Sequence, residues 1–248
     1  MAAGLSLANA MYGLFVLPES LPRELRAGFS WKKANPVGSL NLLRSHPQLL
    51  GLATVNFLAN LAHEVLPSVF VLYAGFRYNW DEKDVGLTLA AVGVCAAIVQ
   101  GGLSQPAVSR FGERRVLFGA LLFGCAGFAV YGLASTGFLF FFGVPVMALW
   151  GLNGPAVLGL MTRRVDPTEQ GRLQGATSCL RGIAGLFGPM LFTTTFKYSI
   201  GPLRDWSVPG APFLLSAFLL LSAALLAWRV TRPPVGTPVP VATHPTPT

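Results

Sequence analysis

Asn56, Asn60, His63 and Glu64 stand in an otherwise apolar run that extends from Leu49 to Tyr73. At about 100° per residue these four fall within roughly 100° of one another, so a helix here has one polar face and is apolar elsewhere. Polar groups on one face look into a cavity. An ionisable group at membrane depth costs about 3 kcal/mol at a helix centre, which makes Glu64 a candidate for binding and releasing a proton. The competing reading is that Glu64 is wetted at the outer boundary or bonds His63 or a neighbouring helix. Arg181 is the other charge inside an apolar run. It either snorkels to the headgroups or serves as a counter-ion for a substrate or for Glu64. Gln100, Trp150 and Asn153 are further candidates for a cavity lining, although lone amides and tryptophans also serve packing and interfacial anchoring. Histidines occur at 46, 63 and 244, and the sequence carries no phosphate-loop motif and no metal-ligand spacing. Enzymatic chemistry, a cofactor, a metal and a nucleotide-driven pump are therefore not expected.

The elements that position these residues follow from composition. Hydrophobic residues make up 52% of the chain and charged residues 11%, against about 25% charged in soluble domains. A hydrocarbon core about 30 Å thick is crossed by about 20 mostly apolar residues, and lipid-exposed backbone must be helical to satisfy its own hydrogen bonds. Six such runs are read at Leu49 to Tyr73, Val85 to Gln105, Val116 to Ala134, Phe138 to Met161, Gly175 to Phe196 and Pro212 to Trp228. A shorter run, Ala2 to Leu17, lacks the preceding basic residues of a signal peptide and reads as a truncated transmembrane helix over 1–17. The prediction is an all-α, polytopic transmembrane helix bundle.

Charge then sets orientation. The net charge is +8, but the basic residues lie in alternate loops, which argues against a nucleic-acid face. Arg23, Arg26, Lys32, Lys33, Arg44, Arg110, Arg114, Arg115, Arg163, Arg164, Arg172, Arg229 and Arg232 fall on one side, with Arg77, Lys83, Lys197 and Arg204 on the other. Basic loops stay cytoplasmic. This places a central loop over 18–48 and a disordered tail over 230–248 in the cytoplasm, with a six-helix half-bundle over 49–229 between them. An interfacial helix is expected near Ser39 to Ser45. Cys95, Cys125 and Cys179 sit inside apolar runs as packing residues, so no disulfide framework is expected.

The segment Gly102-Leu103-Ser104-Gln105-Pro106-Ala107-Val108-Ser109-Arg110-Phe111-Gly112-Glu113-Arg114-Arg115 joins two spans. Gly102 permits close helix approach, Gly112 permits a tight turn, and Arg110, Arg114 and Arg115 can bond carbonyls at helix ends and acidic partners. The spacing resembles the cytoplasmic loop signature of the major facilitator superfamily and suits a conformational latch. Leu17-Pro18-Glu19-Ser20-Leu21-Pro22, Asn35-Pro36, Leu66-Pro67-Ser68 and Gln170-Gly171-Arg172-Leu173-Gln174-Gly175-Ala176 resemble the tetracycline-efflux branch of drug and proton antiporters. The resemblance implies the C-terminal half of that fold, the end of helix six plus helices seven to twelve, with the acidic residues of the other half lying outside this sequence. It implies proton-coupled drug efflux at a bacterial inner membrane. The expected partners are protons, a small-molecule substrate, the bilayer, and either the missing N-terminal half or a second copy. A sugar or other metabolite as cargo, or a non-transporting membrane fragment, are the alternatives.

Glycine and proline add a mechanical expectation. Gly151, Gly154 and Pro155 interrupt one span, and Gly182, Gly185 and Gly188-Pro189 run along the next, marking those helices as packing or moving elements.

Overall fold

The computed structural model describes residues 2–16, 40, 42–43, 47–202 and 208–232. The chain divides into two units, 1–35 and 36–248. In the first, α1 (Ala2–Phe15) is a helix of 14 residues, about 21 Å long and shorter than the ~30 Å hydrocarbon core. Most of the expected central loop and of the disordered tail lies outside the described residues. In the expected interfacial helix, Leu40, Leu42 and Leu43 are helical, and Leu42 and Leu43 are buried in the core.

The second unit is built from α2 (Pro47–His63), α3 (Val65–Tyr78), α4 (Glu82–Ile98), α5 (Ser104–Phe111), α6 (Glu113–Leu133), α7 (Gly137–Ala148), α8 (Asn153–Thr162), α9 (Gln170–Ile200) and α10 (Ala211–Val230). Among the described residues, five helical rods are long and apolar enough to cross a membrane: Leu49–Tyr78, Glu82–Phe111, Glu113–Leu133, Gly137–Thr162 and Ala211–Val230. Each of the five overlaps an expected span, most of them with longer ends, although the third stops at Leu133, one residue short of Ala134. The exception in apolarity is α9, whose 31 residues have the length but whose Gln174, Thr177, Ser178 and Arg181 dilute its hydropathy.

Adjacency runs from α9 to α2 and α3, then to α10, α6, α7 and finally α4. Lipid is as apolar as leucine, so association rests on close packing and hydrogen bonds rather than on hydrophobic burial. The α6–α7 contact shows how. A methyl on Gly127 would stand 3.0 Å from the Met147 backbone, and one on Gly143 would stand 2.7 Å from the Tyr131 ring. Aromatic rings fill the space beyond, with Tyr131 and Phe140 stacked at 4.1 Å. Tyr73 Oη donates to the Tyr131 carbonyl at 3.1 Å and Tyr78 Oη to the Ala134 carbonyl at 3.0 Å, fastening α3 to the end of α6.

Three of the rods are irregular. Pro67 has no N–H to offer the His63 carbonyl, and the first rod breaks at Glu64 between α2 and α3. The second rod passes through a π-helical turn, Val99–Leu103, ahead of Pro106. The fourth passes through a 3₁₀ turn, Leu149–Leu152, ahead of Pro155, at the interruption the sequence predicts.

Candidate functional site: two clefts joined at Trp150

Two clefts open in the second unit, of about 400 and 590 Å³. The smaller is the more polar of the two and is lined by Asn56, Asn60, Asn153, Gln174, Thr177 and Ser178 among others. The larger is apolar and aromatic, with His63, Phe70, Tyr131, Phe140 and Met147 in its wall. Gln100, Trp150, Gly151 and Arg181 belong to both and form the neck between them.

Local structure explains each position. Asn56 and Asn60 are one helical turn apart, and Asn60 Nδ2 donates to Asn56 Oδ1 at 3.0 Å and to the Asn56 carbonyl at 2.7 Å. His63 continues the same face and stacks flat on Trp150, with ring centroids 4.2 Å apart and planes at 10°. Trp150 is seated over Gly124 of α6, where any Cβ would meet the indole at 2.5 Å. The 3₁₀ turn also sets its direction. Three residues per turn eclipse positions i and i+3, so Trp150 and Asn153 share a face that a regular α-helix would divide by about 60°. Trp150 Nε1 and Asn153 Oδ1 are buried and have no hydrogen-bond partner among the described residues, with Asn153 only 3% exposed. Gln100 sits in the π turn and lies beside Gly151.

Glu64 departs from the expectation. It lines neither cleft. Glu64 keeps helical dihedrals, φ −62° and ψ −14°, and its N–H donates to the Asn60 carbonyl at 3.2 Å. It therefore stands about 100° round the helix from His63 and meets α9, where a methyl on Gly188 would stand 2.5 Å from Glu64 Cβ and one on Gly185 would stand 3.9 Å from Oε1. The polar stripe is therefore divided: Asn56, Asn60 and His63 face the clefts, and Glu64 faces the glycines of α9. Arg181 is exposed and lines both clefts.

The loop signature is also resolved residue by residue. Gly112 adopts φ 77° and ψ 152° between α5 and α6, a conformation open essentially to glycine alone, and its N–H donates to the Val108 carbonyl at 2.9 Å. Gly102 makes no close approach, since a Cβ there would have nothing within 4 Å. It lies within the π turn. Arg114 Nε donates to Thr231 Oγ1 at 3.1 Å, tying the loop to the end of α10, and Arg110 lies over the Phe111 ring at 5.8 Å. Arg115 begins α6. The acidic partner is Glu113, which the predicted latch did not include. Its Oε1 lies 2.9 Å from Arg163 Nη2, so the loop is joined to the end of α8. Burial pushes the neighbouring Arg164 guanidinium below its ordinary value, and the Glu113 carboxylate opposes that shift.

Residues 1–189 match the family profile described as Major Facilitator Superfamily. The chain belongs to the Major Facilitator Superfamily. Within the superfamily it is 29% identical over 216 residues to the class C tetracycline resistance protein of Escherichia coli, covering 86% of this chain and 54% of that protein. It is 32% identical over 168 residues to the class G protein of Vibrio anguillarum, covering 66% and 43%. Human Hippocampus abundant transcript-like protein 1 is 26% identical over 246 residues, covering 92% and 49%. The crystal structure of the human organic anion transporter MFSD10 superimposes with a TM-score of 0.75 at 20% identity, covering 89% of this chain and 54% of that one. The chain thus spans about half the length of the relatives it matches. These matches agree with the efflux branch indicated by Leu66-Pro67-Ser68 and the Gln170 to Ala176 segment, and with an integral membrane protein of a transporter superfamily.

Sequence reasoning named Arg181 but missed the rest of its wall of the polar cleft, Gln174, Thr177 and Ser178. Gln174, Thr177, Ser178 and Arg181 recur at helical spacing, i, i+3, i+4 and i+7, so the signal was present as a second polar stripe.

Proposed function

We propose that this chain forms the C-terminal half-bundle of a proton-coupled efflux transporter for a tetracycline-like drug, operating by alternating access from a bacterial inner membrane. The observation that carries the reading is the pair of clefts built on three interrupted helices. Secondary transporters place their sites near the midplane on discontinuous helices, at the interface between two halves. Asn56, Asn60, Gln100, Trp150, Asn153 and Arg181 are the proposed substrate wall, and Glu64, wedged between α2 and α9, is the proposed proton carrier. Arg110, Arg114 and Arg115 with Gly112 and Glu113 form the proposed latch of one conformation. The end of the bundle that gathers Arg114, Arg163 and Arg229 is the proposed cytoplasmic side, which puts the C-terminus there.

A half-bundle supplies one wall, so coupled transport needs a second half or a second copy. The test is a chimera in which residues 49–230 replace the matching half of the class C protein, assayed in energised inverted vesicles. Tetracycline-dependent proton release is expected, with its loss in Glu64→Gln. A chimera that inserts with native protease resistance yet moves neither drug nor proton would overturn the reading. So would coupled transport by this chain as a demonstrated monomer. Unaltered coupling in Glu64→Gln would remove the carrier role alone.

A further inference from the structure

We propose that the joined clefts select an amphipathic aromatic anion, with its oxyanion at Arg181, a hydrogen-bonding edge in the polar cleft and its ring system in the apolar one. The assignment rests on the transporter reading above and adds the chemical class of the ligand.

Charge supplies the first argument. Arg181 is the one permanently charged side chain lining either cleft among the described residues, and it lines both. Among the described residues it makes no hydrogen bond or ion pair, and Glu64 is turned away onto Gly188. A guanidinium presents a planar fork of donors that matches carboxylates, sulfonates and enolates. A cation of the same shape would meet like charge.

The second argument is the pair of orphaned atoms. Buried polar groups are nearly always hydrogen-bonded in native proteins, yet Trp150 Nε1 and Asn153 Oδ1 are both without a partner. The 3₁₀ turn sets this donor and this acceptor on one face, beside the neck that holds Arg181. A ligand edge carrying an acceptor next to a hydroxyl or N–H satisfies both.

The third is the shape of the larger cleft. His63 and Trp150 present flat faces, and Tyr131 stacked on Phe140 forms another aromatic wall. Flat aromatic bodies gain offset or edge contacts against such rings, and pockets with apolar walls and a few convergent polar groups are the usual form of a small-molecule site.

The experiment uses the full chain in non-ionic detergent and equilibrium dialysis of three probes: naphthalene-2-sulfonate, 2-naphthyltrimethylammonium and 6-hydroxy-2-naphthoate. The sulfonate is expected to bind about tenfold or more tightly than the ammonium, a typical size for one charge-assisted contact. Arg181→Gln should erase that preference and Arg181→Lys should keep most of it, which separates charge from folding. Asn153→Leu should weaken the hydroxynaphthoate more than the sulfonate. Equal binding of sulfonate and ammonium, or a preference that survives Arg181→Gln, would overturn the assignment. No gradient is involved, so anion binding by a chain whose chimera fails to transport removes the transport reading and leaves the site. Transport without anion preference removes only the ligand class.

Discussion

Gly188→Ala tests whether Glu64 is wedged between two helices. A methyl at this position would lie 2.5 Å from Glu64 Cβ and 2.8 Å from Cγ, whereas ordinary contact begins near 3.4 Å. The shortfall is about 1 Å, and Cβ is fixed by the backbone, so the α2–α9 contact must open or the turn at Glu64 must deform. Overpacking of this kind costs about 1–3 kcal/mol. Thermal or denaturant unfolding in detergent, followed by circular dichroism, reads the loss. The decisive measurement is the double variant. Glu64→Gly removes both obstructing atoms and should rescue Gly188→Ala, whereas Glu64→Ala keeps Cβ and should not. Additive effects of Gly188→Ala and Glu64→Gly, or a Gly188→Ala variant as stable as the parent, would refute the packing argument and with it the proposed place of the proton carrier.

Two connections between helices yield three more predictions. Gly112→Ala should cost about 1–3 kcal/mol from backbone strain alone, because no neighbour obstructs the new methyl, while Gly102→Ala should cost nothing measurable in the same unfolding assay. Glu113→Gln breaks a pair whose Arg163 side chain is 73% exposed, worth no more than about 1 kcal/mol. It also strips compensation from the desolvated Arg164, and tryptic cleavage after Arg163 and Arg164 should speed up several-fold, so an unchanged rate would mean that the pair does not tether the loop. Asp166 accepts from the Thr168 hydroxyl and backbone N–H, which together hold its carboxyl below the usual range. A depressed folded-state value contributes stability above the unfolded value of about 3.9 and loses it as pH falls through the folded one. Hydrogen exchange over residues 163–170, corrected for intrinsic rate, should therefore rise with acidification below about pH 4 in the parent and stay flat in Asp166→Asn.

The spans were legible because about 20 apolar residues in sequence have few fates other than a membrane helix. Asn56, Asn60, Trp150 and Asn153 were legible because a polar group in such a run must face something polar. The fate of Glu64 was not, because it stands at the edge of the stripe, about 100° round the helix from His63, and the element that packs on that edge, α9, is distant in sequence. Likewise, Gly102 invited a close-packing role that the structure gives to Gly124, Gly127 and Gly188, since space around a glycine depends on neighbours that no local pattern reveals. The Glu113–Arg163 bridge joins residues distant in sequence and had no local signal either.

The prolines account for why the site lies where it does. Each removes the amide that would bond the carbonyl four residues earlier. Pro67, Pro106, Pro155 and Pro189 thus act at His63, Gly102, Gly151 and Gly185, and these positions lie in the apolar cleft, in the π turn with Gln100, in the neck, and beside Glu64. Pro155→Ala examines the argument at one of them. A restored N–H lets Leu149–Leu152 relax from 3₁₀ toward α geometry, turning Trp150 about 60° relative to Asn153 and lifting the indole from Gly124. The variant should unfold at an equal or higher temperature, since a helix-breaking residue is gone, yet should lose naphthalene-2-sulfonate binding by about tenfold through a misdirected Trp150. Loss of stability and binding together would mean that Pro155 serves packing. Retention of full binding would mean that the 3₁₀ turn does not orient the site.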